Sequence, residues 1–158
     1  MHNPRPAAEY SPEYVFTSIH GRLPYKISIE LLPGDGSDWL GSAPVPHAPF
    51  LFINFNLGVP TKHAYKAYLE AVARFRAVHR TRSPNLDVIS KMLTSTAVLL
   101  LANPAHETAL NARKQLVTSS LLSAPHEPPF TDALFTLRER AKQSLLWAHR
   151  RWPLEQSQ

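Results

Sequence analysis

The sequence predicts a mainly α protein: an array of antiparallel helical hairpins behind an irregular, short-stranded N-terminal segment. Three observations carry this. The 15 prolines crowd into the first 60 residues and into Pro125, Pro128 and Pro129, leaving 61–83 and 85–103 free of them. Apolar residues in those free stretches recur at helical spacing. Two segments, Asn103–Lys114 and Ala141–Trp152, also align with one another at a separation of 37 residues, within the range of helix-pair repeats.

With 158 residues, 44% of them apolar and 18% charged, the chain can bury one real core and falls on the globular side of composition. The expected division is a proline-rich, irregular or extended segment over 1–60 and a helical repeat domain over 61–158, incomplete at its C-terminus. A net charge of +5 attracts nucleic acid, acidic protein surfaces or phosphates without choosing among them. The absence of cysteine excludes disulfides and thiolate metal ligands within the chain and fits a reducing compartment. The opening MHNPRPAAEYSPEY lacks the apolar core of a secretory signal. The longest aliphatic run, Ala97–Ala102, falls far short of the roughly 20 residues a membrane span requires. A soluble, cytoplasmic chain with no membrane span is expected.

Residues 1–22 read as poorly ordered or extended. KISIELL (Lys26–Leu32) alternates, with Ile27, Ile29 and Leu31 on one side of a strand. PGDGSDWLG reads as a turn; Asp35 and Asp38 lack the alternating ligands and closing glutamate of a calcium loop. FLFINFNLG (Phe50–Gly58) alternates again, placing Leu51, Ile53, Phe55 and Leu57 on one face of a strand that pairs with the first or lies on the helices.

Thr61 is placed to cap a helix from Lys62 to about Arg80, with Tyr65, Tyr68, Leu69, Val72 and Phe75 at helical spacing. Its Lys62, Lys66, Arg74, Arg76, Arg80 and Arg82 read as a solvated or acid-facing surface, with a nucleic-acid face as the alternative. A second helix, about Leu86–Ala102, is apolar nearly all round and should be buried between neighbours. Asn103 and Pro104 are read as N-cap and first position of a third helix reaching about Leu122. SAPHEPP (Ser123–Pro129) is a connector. Beyond it lie two short helical pieces, from Thr131 and from Ser144.

In the two repeat copies Leu110 lies on Trp147, Asn111 on Ala148, Arg113 on Arg150 and Lys114 on Arg151. Tryptophan and an arginine three or four residues on share a helix face, which suits packing against the next hairpin and a bridge to a carboxylate across the groove. At these residues the chain resembles the α subunits of protein prenyltransferases, whose repeats read roughly N-P-x-x-Y-x-x-W-N-x-R-R and K-N-Y-x-x-W-x-H-R-R. LLLANPAHETALNARKQL keeps Asn103, Pro104, Asn111, Arg113 and a basic Lys114; KQSLLWAHRRW keeps Lys142, Trp147, His149, Arg150 and Trp152. The family tyrosine is Glu107 in one copy and Ser144 in the other, and the first tryptophan is Leu110. The likeness covers about residues 86–155 and is nearest to the α-subunit-like members that stand apart from the main subunits.

The resemblance implies an α-α superhelix that braces a catalytic β subunit in a heterodimer, transferring farnesyl or geranylgeranyl groups to protein cysteines. It implies that zinc and the isoprenoid diphosphate belong to that partner, with no cofactor or metal in this chain. It places Lys142 at the position whose lysine contacts the diphosphate, and it makes Asn103, Pro104, Asn111, Arg113, Trp147, His149, Arg150 and Trp152 structural residues of the repeat. With one fairly complete hairpin and the start of another, the chain reads as a truncated member. A non-catalytic helical scaffold or inactive fragment, and a basic RNA-binding helical module, stay open beside that reading.

Overall fold

The computed structural model describes residues 28–40, 50–54, 56–137 and 144–155. The expectations for residues 1–22, for Ile27 and Phe55, and for Lys142 lie outside the described residues, as does the segment 138–143.

Three short strands form one mixed sheet: β1 (Ser28–Leu32), β2 (Leu51–Ile53) and β3 (Asn56–Pro60). β3 lies in the middle, parallel to β1 with Ile29 opposite Leu57, and antiparallel to β2 with Phe52 opposite Leu57. The single alternating strand expected over Phe50–Gly58 is thus a hairpin. Asn54 turns the chain at φ 49°, a left-handed conformation asparagine tolerates. The turn resets the alternation, so that Leu57 is buried while Ile53 is exposed. Gly58 lets the middle strand lie close to its neighbours: a Cβ there would stand 2.7 Å from Leu32 Cδ1, a side-chain end that would have to shift, and 3.2 Å from Leu51 Cβ.

PGDGSD is a turn, with Gly34 and Gly36 at φ 71° and 85°, leading into one helical turn, Ser37–Leu40. It is tied to the next helix, since Gly34 O accepts from Lys62 N at 3.0 Å. That helix, α1, spans Thr61–Val78. Thr61 is not its cap: Pro60 takes that place, and the Thr61 hydroxyl reaches Gly34 O at 3.4 Å. Its buried face also differs from the expected one. Ala67, Ala71, Phe75 and Val78 are buried, whereas Tyr65 and Leu69 face outward. Tyr68 and Val72 are partly buried against the core, and α1 packs along the bulky, aliphatic α2 (Leu86–Ala102).

α2 has the expected bounds and is buried nearly all round at its C-terminal end, from Ser95 to Leu101. Asn85 caps it, accepting from Val88 N at 2.9 Å. Asn103 and Pro104 do not start the third helix. Asn103 closes α2, donating its N–H to Leu99 O at 2.8 Å, and its carbonyl and side chain accept from His106 N and Ala105 N. The helix proper, α3, spans Glu107–Thr118 and is capped by His106, whose Nδ1 accepts from Ala109 N at 3.2 Å. An asparagine side chain that bonds two residues on makes a turn as readily as a cap, and here the turn wins. α3 ends before Leu122 because Ser120 is left-handed, at φ 58°.

SAPHEPP is only half a connector. Ala124–His126 form a 3₁₀ turn and α4 (Glu127–Phe135) opens on Glu127, not Thr131, with Pro128 and Pro129 in its first turn. Proline is tolerated there because its missing N–H has no helical partner to lose. α5 spans Ser144–Glu155, and the break expected near Arg140–Gln143 lies outside the described residues. One core unites these elements: Ile29, Leu57 and Val59 from the sheet and Phe50 just before β2 join Phe75, Leu99, Leu100, Leu134 and Leu146 from the helices. Ile29 N also donates to Thr136 Oγ1 at 2.7 Å, fastening β1 just beyond α4. The chain is mainly helical with a short-stranded N-terminal segment, as a helical repeat fold requires.

Candidate functional site

The two copies of the repeat motif meet across α4. From α3, Arg113 is buried, held by its helix's own position between α2 and α4. Its Nη2 donates to Glu127 Oε1 at 2.8 Å, and its Nε lies 3.1 Å from both carboxylate oxygens. Its Nη1 donates to Thr96 Oγ1 at 3.0 Å and to Leu93 O at 3.3 Å, both on α2. The guanidinium also lies over the Phe130 ring, 4.0 Å from its centroid. From α5, His149 Nε2 stands 2.9 Å from Glu127 Oε2. The oxygen can only accept, so Nε2 carries the proton. His149 Nδ1 makes no hydrogen bond among the described residues.

Glu127 and His149 are fully buried. Burial raises the Glu127 carboxyl, but Arg113 beside it and the bonds from His149 and Arg113 together outweigh that and hold it at about 2. The carboxylate therefore stays charged across the physiological range and ties α2, α3, α4 and α5 to one point. Closed from water and saturated on the carboxylate side, the cluster suits a clamp better than proton transfer.

The second copy is built differently. Arg150 Nε donates to Asp132 Oδ1 at 2.7 Å, a pair partly open to solvent. Trp147 stacks on Phe135, with centroids 4.1 Å apart, yet is 48% exposed. Trp152 is half-buried, with Lys114 Nζ 5.8 Å from its centroid. Asn111 is exposed on α3, Asn103 is exposed at the α2–α3 turn, and Pro104 is buried there. The structure therefore brings Arg113, His149 and, at one remove, Arg150 together around α4, and leaves Asn111 and Asn103 apart from them. The reading of residue types did not include Glu127 or Asp132. A signal existed: between Arg113 and Arg150 the sequence holds three acids, Glu127, Asp132 and Glu139, and a buried arginine needs one of them.

Among the described residues no group of three or more His, Asp or Glu could hold a metal ion. No helix among them is long and apolar enough to cross a membrane.

No protein-family model matches the chain. Two curated proteins are similar to it. One is the human (Homo sapiens) "Protein prenyltransferase alpha subunit repeat-containing protein 1", 32% identical over 127 residues, which covers 75% of this chain and 30% of that protein. The other is the Danio rerio protein of the same name, 32% identical over 126 residues, covering 77% of this chain and 29% of that protein. The matched region thus spans less than a third of the length of these relatives.

Proposed function

The chain is a homologue of the protein prenyltransferase alpha subunit repeat-containing proteins, and from that premise we propose that it serves as an α-subunit-like scaffold bracing a catalytic β subunit. The carrying observation is how the motif's cations are used. Arg113 and His149 are spent inside the fold on Glu127, and Arg150 on Asp132. Such residues set the stacking of helices; they do not face a substrate. α5 meanwhile leaves Leu145 exposed on one flank and Trp147 with Leu154 on the other, apolar surface suited to a further helix or a partner subunit. In this reading zinc and the isoprenoid diphosphate belong to the β subunit. Lys142 is the one residue of this chain proposed to reach the diphosphate, where a cation stabilises charge on the leaving group.

The test is to mix the full chain with a prenyltransferase β subunit and follow co-elution, then lipid transfer to a peptide ending in a cysteine motif. Co-elution with transfer is expected, and Lys142→Ala should slow transfer without weakening co-elution. Failure of the two chains to co-elute would sink the subunit reading.

A further inference from the structure

Six cations and one acid fall within residues 61–82, a net +5, which is the net charge of the whole chain; the remainder carries eleven of each sign. The entire excess therefore sits on α1 and the turn after it. On the outer face of α1, Lys62, Lys66 and Arg76 are exposed together with Tyr65, at 65%, and Leu69, at 51%, and Arg80 is exposed in the turn after it. Among the described residues Lys66, Arg76, Arg80 and Arg82 make no ion pair, and Lys62 reaches Asp35 only at 3.8 Å, with both side chains largely in water. Arg76 stands 14 positions after Lys62, a ridge about 21 Å long at the helical rise, and Arg80 extends it into the turn.

Beside this ridge lies a half-open groove of about 340 Å³ between β1, α1 and α2. Leu31, Ala64, Tyr65, Tyr68 and Leu101 line it, with Thr61 as a polar group at the edge. Tyr65 belongs to both features, so the charged ridge and the apolar groove are one continuous surface.

We infer that this surface docks an acidic segment of a partner protein, with one aliphatic or aromatic side chain seated in the groove beside Tyr65 and carboxylates along the α1 ridge. Charge decides the sign of the partner, since a ridge with four exposed cations and Glu70 as its acid favours a segment rich in Asp and Glu. The groove decides its class. Its aliphatic walls suit an apolar side chain, whereas a nucleic acid would bring a sugar and phosphate against Leu31 and Leu101. The inference does not depend on the β-subunit reading. α1 packs on α2 and β3, whereas the exposed Leu145, Trp147 and Leu154 belong to α5, which packs on α3 and α4.

The experiment selects a displayed library of random 16-residue peptides against the full chain, then measures the enriched peptides by fluorescence anisotropy. Enriched sequences should carry Asp or Glu flanking a Leu, Phe or Trp. Their binding should weaken as salt rises and fall about ten-fold or more in Lys66→Glu/Arg76→Glu/Arg80→Glu. Tyr65→Ser should weaken binding several-fold at unchanged salt slope, while Arg151→Glu on α5 should leave it unaltered. Circular dichroism checks that each variant folds, which exposed positions permit. No enrichment, enrichment without acidic bias, or equal binding by the triple variant would overturn the inference. So would a 16-nucleotide single-stranded RNA that binds this face more tightly than any enriched peptide.

Discussion

The same motif is written twice in this chain, and the two copies live in different physical settings. Leu110 and Arg113 are buried, and Arg113 faces a carboxylate sealed from water. Their counterparts Trp147 and Arg150 lie at an open flank, where the tryptophan is half-exposed and the arginine pairs with a partly solvated aspartate. A motif therefore fixes which residue types share a helix face; it does not fix what they are worth. That depends on how many neighbours close over them. Copy one has α2 on one side and α4 on the other, while copy two rests on α3, α4 and the 3₁₀ turn before α4, all on its inner side.

The largest expected effect tests the difference between the two carboxylates. Glu127→Ala leaves Arg113 and His149 buried without their acceptor and should cost about 3–5 kcal/mol of unfolding free energy. Asp132→Ala removes the corresponding partner at the surface and should cost about 1 kcal/mol or less. Urea denaturation of both variants measures the contrast, and equal losses would break it.

Acid should act through the same group. The Glu127 carboxyl is held at about 2, below its ordinary value of 4.5. Its contribution is therefore fully present above pH 4.5 and disappears as pH falls toward 2, a loss on the order of 3 kcal/mol. Denaturation midpoints measured between pH 7 and 2.5 should drop more steeply in the natural chain than in Glu127→Gln, which has no carboxyl to protonate there.

The smallest expected effects come from exchanging the copies' large residues. Leu110→Trp overfills a closed site and should destabilise by about 1–3 kcal/mol. Trp147→Leu gives up only a half-exposed ring stacked on Phe135, and should cost less than about 1 kcal/mol. Thermal melts of the two variants would sharpen the comparison, and a reversal of their order would undo it.

Much of this was legible beforehand. α2 has its expected bounds because seventeen residues without proline or glycine, apolar nearly all round, have few ways to hide except as a buried helix. The register of the two repeat copies was legible too, since Arg113 and Arg150 recur at a fixed spacing. Less legible were the boundaries. Asn103 and Pro104 spell a helix start as well as they spell a turn, and only the bonds of Asn103 to Ala105 and His106 decide between them. Pro128 and Pro129 spell a connector as well as a first helical turn. On α1, helical spacing predicts the helix and the inward side of Phe75, Tyr68 and Val72, but it also places Tyr65 and Leu69 inward, where the structure leaves both exposed.

The sequence by itself determined that the chain is mainly helical, where its long helices run, and that a basic motif repeats at 37 residues. These are properties of neighbours along the chain: propensity, periodicity and spacing act within a few turns. The tertiary structure alone decided that Glu127, in a proline-flanked stretch, would be the acceptor for Arg113 and His149, 14 and 22 residues away. It also decided that Ala67 and Ala71 would be buried on α1 while Tyr65 stays exposed. Both depend on which surfaces approach in space and how closely, and close approach rewards small side chains and paired charges wherever the chain happens to supply them.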